Sequence, residues 1–170
     1  MTANRTLVLM RHGKSGYPEG VADHDRPLAE RGENEAALAG EWLRANQPPI
    51  ETVLCSTSVR TRQTLAATGI DAPTQFLERL YGAYPAEILT DISEVDESVQ
   101  TLLVIGHAPG MPSTALDLVG NPDSDDARAI REKFPTSALA VLSVEGDWAD
   151  LTSGAASLVT FHVPRQPSDQ

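Results

Sequence analysis

The chain has 170 residues, of which 41% are hydrophobic and 22% are charged, as in ordinary soluble globular proteins. This length suits one domain with a single sizeable core, so we expect one domain over residues 1–170. The 24 Asp and Glu outnumber the 13 Lys and Arg, and the formal net charge is −11. Such a charge disfavours binding to nucleic acid or to an anionic membrane surface. Any phosphate site would therefore need its own local cluster of positive charge.

Short β-rich runs alternate with longer amphipathic stretches, which predicts an α/β domain with a largely parallel central sheet. Strands are predicted at 6–10, 52–55, 101–105, 139–144 and 158–163, with a weaker candidate at 74–77. Helices are predicted at 29–45, from an N-cap at Ser56 onward, at 85–95 and at 111–119. The acidic stretch 120–126 is predicted to be a surface loop, and residues 164–170 a frayed tail.

Cys55 is the single cysteine of the chain, so no intrachain disulfide can form. It lies in an apolar run, where a buried and inert thiol is the favoured interpretation. The apolar stretch from Leu7 to Met10 is far too short for a signal-peptide core or a membrane span. We therefore expect a cytoplasmic protein.

A guanidinium and an imidazole stand side by side just after the first predicted strand, in Arg11-His12-Gly13. A neutral imidazole can accept a phosphoryl group, and a neighbouring arginine can hold the phosphoryl oxygens. Gly13 would let the backbone approach a phosphate and offer its N–H as a donor. On its own, this tripeptide is a weak signal, and a turn with a partly exposed histidine would be the favoured interpretation.

Two further segments also follow predicted strands. The segment from Ser56 to Thr64 places Arg60 in the first turn of a predicted helix, where it can help the helix N-terminus to bind an anion. Gly106-His107 follows the run 101–105, and His107 could stabilise phosphoryl charge as an imidazolium. A solvated arginine and a structural histidine are the alternatives. Because the carboxyl ends of parallel strands share one edge of a sheet, the three segments should converge there.

Taken together and in this order, the Arg-His-Gly opening, the Ser-x-x-x-Arg-x-x-Gln-Thr helix start and the Gly-His segment resemble the histidine phosphatase superfamily. The resemblance spans roughly residues 5–163. It implies a phosphoglycerate-mutase-like fold, a three-layer α/β/α sandwich. It also implies that His12 is a nucleophile that forms a phosphohistidine intermediate, with Arg11, Arg60 and His107 around the phosphate.

A closer resemblance is to the SixA-type phosphohistidine phosphatases, which also lack an inserted cap domain. The segments that carry it are Arg11-His12-Gly13-Lys14-Ser15, Asp23-His24-Asp25-Arg26-Pro27-Leu28, Arg31-Gly32 and Leu80-Tyr81-Gly82-Ala83. It implies that Asp23 and Arg26 line the site, and Gly13 and Ser56 are counted with them as substrate-binding residues. An alanine commonly replaces the glycine in this branch, and a small residue should preserve the geometry.

The resemblance implies two in-line displacements at phosphorus, with no metal and no cofactor required. The four histidines show no metal-ligating spacing. A general acid for an alkoxide leaving group is harder to find: Asp23 is the best candidate, ahead of Glu78 and Glu87. Because imidazole is a weaker base than an alkoxide, we expect the substrate to be phosphohistidine on a partner protein. The alternatives are a small phosphorylated substrate, cleaved by a phosphomonoesterase, and a phosphoprotein-binding module without turnover.

Overall fold

A computed structural model describes residues 4–165. Six strands form one sheet in the order β3-β2-β4-β1-β5-β6. They are β1 (Asn4–Arg11), β2 (Thr52–Ser56), β3 (Thr74–Leu77), β4 (Thr101–Gly106), β5 (Leu139–Glu145) and β6 (Ala156–His162). Strands β3, β2, β4 and β1 are parallel, whereas β5 is antiparallel to both β1 and β6. The predicted α/β class and largely parallel sheet are confirmed.

Five α-helices cover the two faces of the sheet. They are α1 (Glu30–Asn46), α2 (Val59–Thr68), α3 (Pro85–Ser93), α4 (Gly110–Leu118) and α5 (Asp125–Glu132). Within the residues that the structure describes, none of these helices has the length and apolar character needed to cross a membrane.

The three layers follow from the alternation of side chains along β1, which is buried on both faces. Leu7 and Leu9 pack in one cluster with α3, α4 and α5, while Val8 and Met10 pack in another with α1 and α2. Successive side chains of a strand point to opposite faces of the sheet, so a strand between two helical layers needs apolar residues at every position. The apolar run of β1 is therefore continuous rather than alternating. β1 is thereby held by packing on both of its faces. The residues that directly follow it are therefore attached to a rigid strand.

The predicted N-cap at Ser56 is wrong, because β2 continues through Ser56, which pairs with Leu77 of β3. Ser58 is the N-cap of α2, with extended backbone and its Oγ accepting from the N–H of Thr61. The difference leaves Arg60 in the first turn of α2, as predicted.

Part of the predicted loop 120–126 is helical, because α5 begins at Asp125. Ser124 caps this helix, and its Oγ accepts from the N–H of Ala127 at 3.2 Å. Carboxylates in a first turn interact favourably with the helix dipole, so the acidic composition supports a helix start here. The predicted tail lies mostly outside the described residues; of its first two residues, Pro164 is buried and Arg165 lies near Glu35.

A loop over residues 16–27 connects β1 to α1 and is closed at its neck. The N–H of Gly16 donates to the carbonyl of Pro27 at 2.9 Å, and the N–H of Ala29 donates to the carbonyl of Lys14 at 2.8 Å. The loop contains a 3₁₀ turn at Asp23–Asp25. Its two ends are therefore held together beside the carboxyl end of β1.

Candidate active site

The three predicted segments meet at one edge of the sheet, around a cavity of about 220 Å³. Its lining includes Arg11, His12, Arg26, Arg60 and His107. A larger cavity of about 320 Å³ lies between β3 and α3, and its lining contains none of the predicted site residues. The smaller cavity is the better candidate site, because two imidazoles and several guanidinium groups converge on it.

His12 is buried and oriented by its own backbone. Its Nδ1 lies 2.7 Å from the carbonyl oxygen of Gly13, so Nδ1 carries the proton and Nε2 keeps its lone pair. Burial, together with the charges of Arg60 and Arg11, lowers the pKa of His12 to about 4, although the Gly13 hydrogen bond opposes this shift. His12 is therefore neutral at pH 7, the state in which an imidazole is nucleophilic.

His107 lies beside His12, with their ring centroids 5.3 Å apart. Its Nε2 is hydrogen-bonded to Ser56 Oγ at 2.9 Å, and its Nδ1 is 3.5 Å from Nη2 of Arg60. Burial lowers the pKa of His107 to about 3, and the neighbouring His12 and Arg60 contribute to this shift. Without a bound phosphoryl group His107 is therefore neutral at pH 7, because a further positive charge is disfavoured among these neighbours, and its role as an imidazolium in the transition state stays a prediction.

Asp23 is the centre of a hydrogen-bond network on the rim of the cavity. Its carboxylate accepts from the hydroxyl of Tyr81, from Nη2 of Arg60 at 3.1 Å and from Nε of Arg26 at 3.0 Å. Arg60 also donates through Nη1 to the Asp23 carbonyl at 2.6 Å. The Tyr81 hydrogen bond, followed by those from the two arginines, holds the pKa of Asp23 well below its usual range.

An ionised carboxylate has no proton to give, which argues against Asp23 as the general acid. Glu78 and Glu87 are both exposed, and Oε1 of Glu87 accepts from the backbone N–H of Tyr84 at the start of α3. Neither residue lines the cavity, and among the described residues no carboxylate does. The sequence could not reveal that Asp23 is ionised, because two of the three residues that donate to it, Arg60 and Tyr81, are far away along the chain.

Arg11 extends the positive lining from β1. Its Nη1 donates to the carbonyl of Phe134 at 3.0 Å, and no carboxylate in the described part of the chain pairs with it. Burial lowers the pKa of Arg11 from its ordinary value. Arg26 donates from Nη1 to Ser15 Oγ at 2.8 Å and lies over the ring of Tyr17, 4.2 Å from its centroid. Both guanidinium groups are thus fixed by neighbours rather than free in solvent.

Gly13 is present for packing rather than for a donor role. Its N–H donates to Oγ1 of Thr64 at 2.9 Å, so the predicted use of this N–H as a phosphate donor is wrong. A Cβ at this position would lie 2.8 Å from the carbonyl oxygen of Gly32 and 3.1 Å from Ser137 Oγ. Even an alanine would therefore require a shift of the backbone, contrary to the expectation that any small residue fits.

Several residues at the site had no predicted role. The ring of Tyr81 packs edge-on against His107, with centroids 5.3 Å apart, and Lys14, Tyr17 and Thr136 also line the cavity. Tyr81 belongs to a segment that carried the family resemblance, but nothing in its spacing indicates contact with Asp23. Within residues 4–165, no three His, Cys, Asp or Glu side chains form a group that could hold a metal ion.

Residues 7–84 match the histidine phosphatase superfamily (branch 1). The chain is 58% identical to an uncharacterized protein of Mycobacterium tuberculosis, over 92% of this chain and all of that protein. It is 30% identical to the phosphohistidine phosphatase SixA of Escherichia coli K12, over 61% of this chain and 67% of SixA.

A solved structure from Nakamurella multipartitia, proposed to be the phosphohistidine phosphatase SixA, is 43% identical with a TM-score of 0.90. The alignment covers 96% of this chain and 98% of that one. The chain belongs to the histidine phosphatase superfamily, and its fold is the phosphoglycerate-mutase-like fold of that superfamily. Within the superfamily it resembles the SixA-type proteins over most of its length, which supports a phosphatase activity.

Proposed function

We propose that the protein hydrolyses phosphohistidine on a partner protein, with His12 as the nucleophile. The observation that supports this substrate is the make-up of the cavity around His12: imidazoles and guanidinium groups line it, no carboxylate of the described chain does, and Asp23 on its rim is ionised. The site therefore stabilises negative charge well but offers no carboxylic acid to a leaving group.

In the first step, Nε2 of His12 attacks phosphorus, and the bond between phosphorus and the substrate imidazole nitrogen breaks. The leaving nitrogen takes the bonding electron pair and then a proton from solvent. The hydrogen bond from Nδ1 to the Gly13 carbonyl keeps the ring in the required tautomer throughout. Since one P–N bond replaces another of the same kind, this transfer needs little driving force.

In the second step, a water molecule attacks the phosphoryl group on His12. A P–O bond forms, the P–N bond breaks with its electron pair returning to Nε2, and the water protons are shared between inorganic phosphate and solvent. Arg11 and Arg60 bind the phosphoryl oxygens and stabilise the charge on them in both steps. A phosphoryl group beside His107 would raise the pKa of that imidazole, because a negative charge favours its protonated form.

Phosphomonoesters differ in the leaving group. An alkoxide is a much stronger base than imidazole, so its departure depends on a proton donor near the scissile bond. The proposed roles of Asp23 and Arg26 are accordingly in substrate binding: Asp23 orients the guanidinium groups of Arg60 and Arg26, with which it is hydrogen-bonded. Ser56 has a positioning role through its hydrogen bond to His107.

The test compares kcat/KM of the purified protein on a phosphohistidine peptide and on a panel of small phosphomonoesters. We expect the phosphohistidine peptide to be preferred and its turnover to be lost in His12→Ala. His24→Gln is a matched control, since His24 has its Nε2 3.0 Å from Thr57 Oγ1 and does not line the cavity. Acid-labile phosphate trapped on the wild-type protein after rapid quenching would identify the intermediate.

Faster turnover of one phosphomonoester would contradict the proposed substrate and indicate a small-molecule phosphatase. Binding of the phosphopeptide with no turnover of any substrate would contradict catalysis and favour a phosphoprotein-binding module.

A further inference from the structure

A second cavity, of about 260 Å³, adjoins the one that contains His12. The two share Arg11, Lys14 and Thr136 in their linings, and the second adds Arg31, Lys133 and Arg165. An anionic group in the second cavity would thus lie close to a phosphoryl group in the first. We refer to the second cavity as the basic pocket.

The distribution of charge over the chain makes the basic pocket unusual. The chain has 24 Asp and Glu and only 13 Lys and Arg, yet seven of those 13 cations line the two cavities. No carboxylate of the described residues lines either one. Clustered like charges repel one another, and a bound anion would relieve this repulsion.

One buried carboxylate lies near two of these cations and limits how far they can move. Glu35 is buried in α1, and its Oε2 lies 3.4 Å from Nε of Arg31 and 3.7 Å from Nη1 of Arg165. A guanidinium group has five N–H donors, and each of these two meets Glu35 through a single nitrogen. Most of their donors therefore remain for another anion.

The two lysines of the basic pocket carry charge that no neighbour balances. Lys14 and Lys133 are exposed, and neither has a carboxylate within 4 Å in the part of the chain that the structure describes. Their side chains lie on an open rim that a macromolecular ligand can reach. The basic pocket thus combines two arginines held by a buried carboxylate with two exposed lysines.

We propose that the basic pocket is a second anion subsite, which binds a carboxylate side chain of the substrate polypeptide next to its phosphohistidine. This inference rests on the proposed function, because the linked cavities would receive two groups of one polypeptide. The subsite selects partner proteins in which an acidic residue accompanies the phosphorylated histidine. It also allows a chain of net charge −11 to bind an acidic partner.

The test is a binding measurement on the His12→Ala variant, which keeps the peptides intact. A phosphohistidine peptide with otherwise neutral residues is compared with peptides that carry one Glu at successive positions on either side. At low ionic strength we expect one Glu position to strengthen binding by about three- to fivefold, the range of an exposed ion pair. Lys133→Gln, added to His12→Ala, should bring this ratio close to one.

Arg128→Gln is the matched control, because it removes one positive charge from α5 at an exposed residue that lies outside both cavities. It should retain the preference for the acidic peptide. Equal losses in Lys133→Gln and Arg128→Gln would mean general attraction only and would overturn the subsite. The absence of any Glu preference in His12→Ala itself would overturn it as well.

The two hypotheses fail in different experiments. Loss of the Glu preference in binding, with phosphohistidine turnover intact in the wild-type protein, would remove only the subsite. Absence of turnover, with a Glu preference that depends on Lys133, would remove the proposed catalysis and keep the subsite.

Discussion

Each end of β1 carries an arginine that packs against the core. The two arginines differ in whether carboxylates of the chain balance their charge. At the amino end, Arg5 is buried and donates to the carbonyls of Glu97 and Gly146, with the carboxylates of Glu97 and Asp147 at 3.6 and 3.4 Å. At the carboxyl end, Arg11 donates to a single carbonyl, that of Phe134, and has no carboxylate partner among the described residues.

The difference separates an arginine that stabilises the fold from one that serves a site. A buried charge is costly unless it is paired, so a structural arginine collects anions from its own chain. Arg11, which we propose to bind phosphate, lacks such partners among the described residues, so its charge remains available to an anion. The four predictions below test the two ends of β1 and the residues that follow it, beginning with the largest expected effect.

Arg11→Met should reduce kcat/KM on the phosphohistidine peptide by about 10²- to 10³-fold, the cost of removing one donor to a developing oxyanion. The free energy of unfolding should fall by less than about 1 kcal/mol, because only one neutral acceptor loses its partner. Steady-state kinetics and urea denaturation measure the two quantities. A large loss of stability without loss of activity would reverse the contrast between the two ends.

Acid should destabilise the protein through the histidines at the carboxyl end. Since the pKa of His12 is about 4 in the folded protein and about 6.5 when unfolded, the unfolded chain binds more protons between these pH values. The free energy of unfolding should therefore be greatest above pH 6.5 and decrease as the pH falls toward 4, by roughly 3 kcal/mol from His12 alone. His107, with a pKa of about 3, contributes in the same direction.

Urea denaturation across this pH range measures the effect, with His12→Asn as the comparison. The variant should show a shallower decrease in the free energy of unfolding between pH 6.5 and 4. An identical slope in both proteins would mean that His12 is not held in its neutral form by burial.

Arg5→Met should lower the free energy of unfolding by about 2–3 kcal/mol, because hydrogen bonds from a charged donor are lost at the amino end. Arg5 lies at the opposite end of β1 from the cavity that contains His12, so kcat/KM should stay within twofold of the wild-type value. Urea denaturation and the peptide assay test both statements. Unchanged stability would show that the ion pairs of Arg5 contribute little.

Gly13→Ala should cost about 1–2 kcal/mol of stability, because the added Cβ would come within 2.8 Å of the Gly32 carbonyl oxygen. Gly16→Ala is the control: its nearest neighbour would be 3.9 Å away, so the change should be within about 0.5 kcal/mol. Thermal unfolding of both variants measures the two losses of stability. Equal effects would show that the contact with Gly32 relaxes freely.

Most of the fold could be predicted because a buried parallel strand requires a continuous apolar run, as 101–105 illustrates. The predicted N-cap of the helix after β2 is wrong, because Ser56 and Ser58 are equally good caps by type and only strand pairing distinguishes them. The loop prediction at 120–126 missed α5 for a related reason: acidic residues favour both a turn and the first turn of a helix.

The residues around the cavity could be named from their order along the chain, but their protonation states could not. The neutral His107 and the ionised Asp23 result from burial and from partners far away in sequence; the hydroxyl of Tyr81 reaches Asp23 across 58 positions. The use of the Gly13 N–H by Thr64 was hidden for the same reason. Protonation states and hydrogen-bond partners depend on tertiary contacts, whereas the positions of buried strands can be predicted from local sequence patterns.

The closed neck of the 16–27 loop makes this loop a practical place to attach a reporter. The hydrogen bond between Gly16 and Pro27 already holds the loop ends together. Residues added at the tip therefore raise the entropic cost of closing the loop only slightly. Gly20 is exposed, has a φ of 77°, and has no atom within 4 Å of where a Cβ would lie. A short tag inserted after Glu19 would leave β1 and α1 in place. Three residues would separate a dye in this tag from Asp23, so the dye would sense substrate binding at the rim.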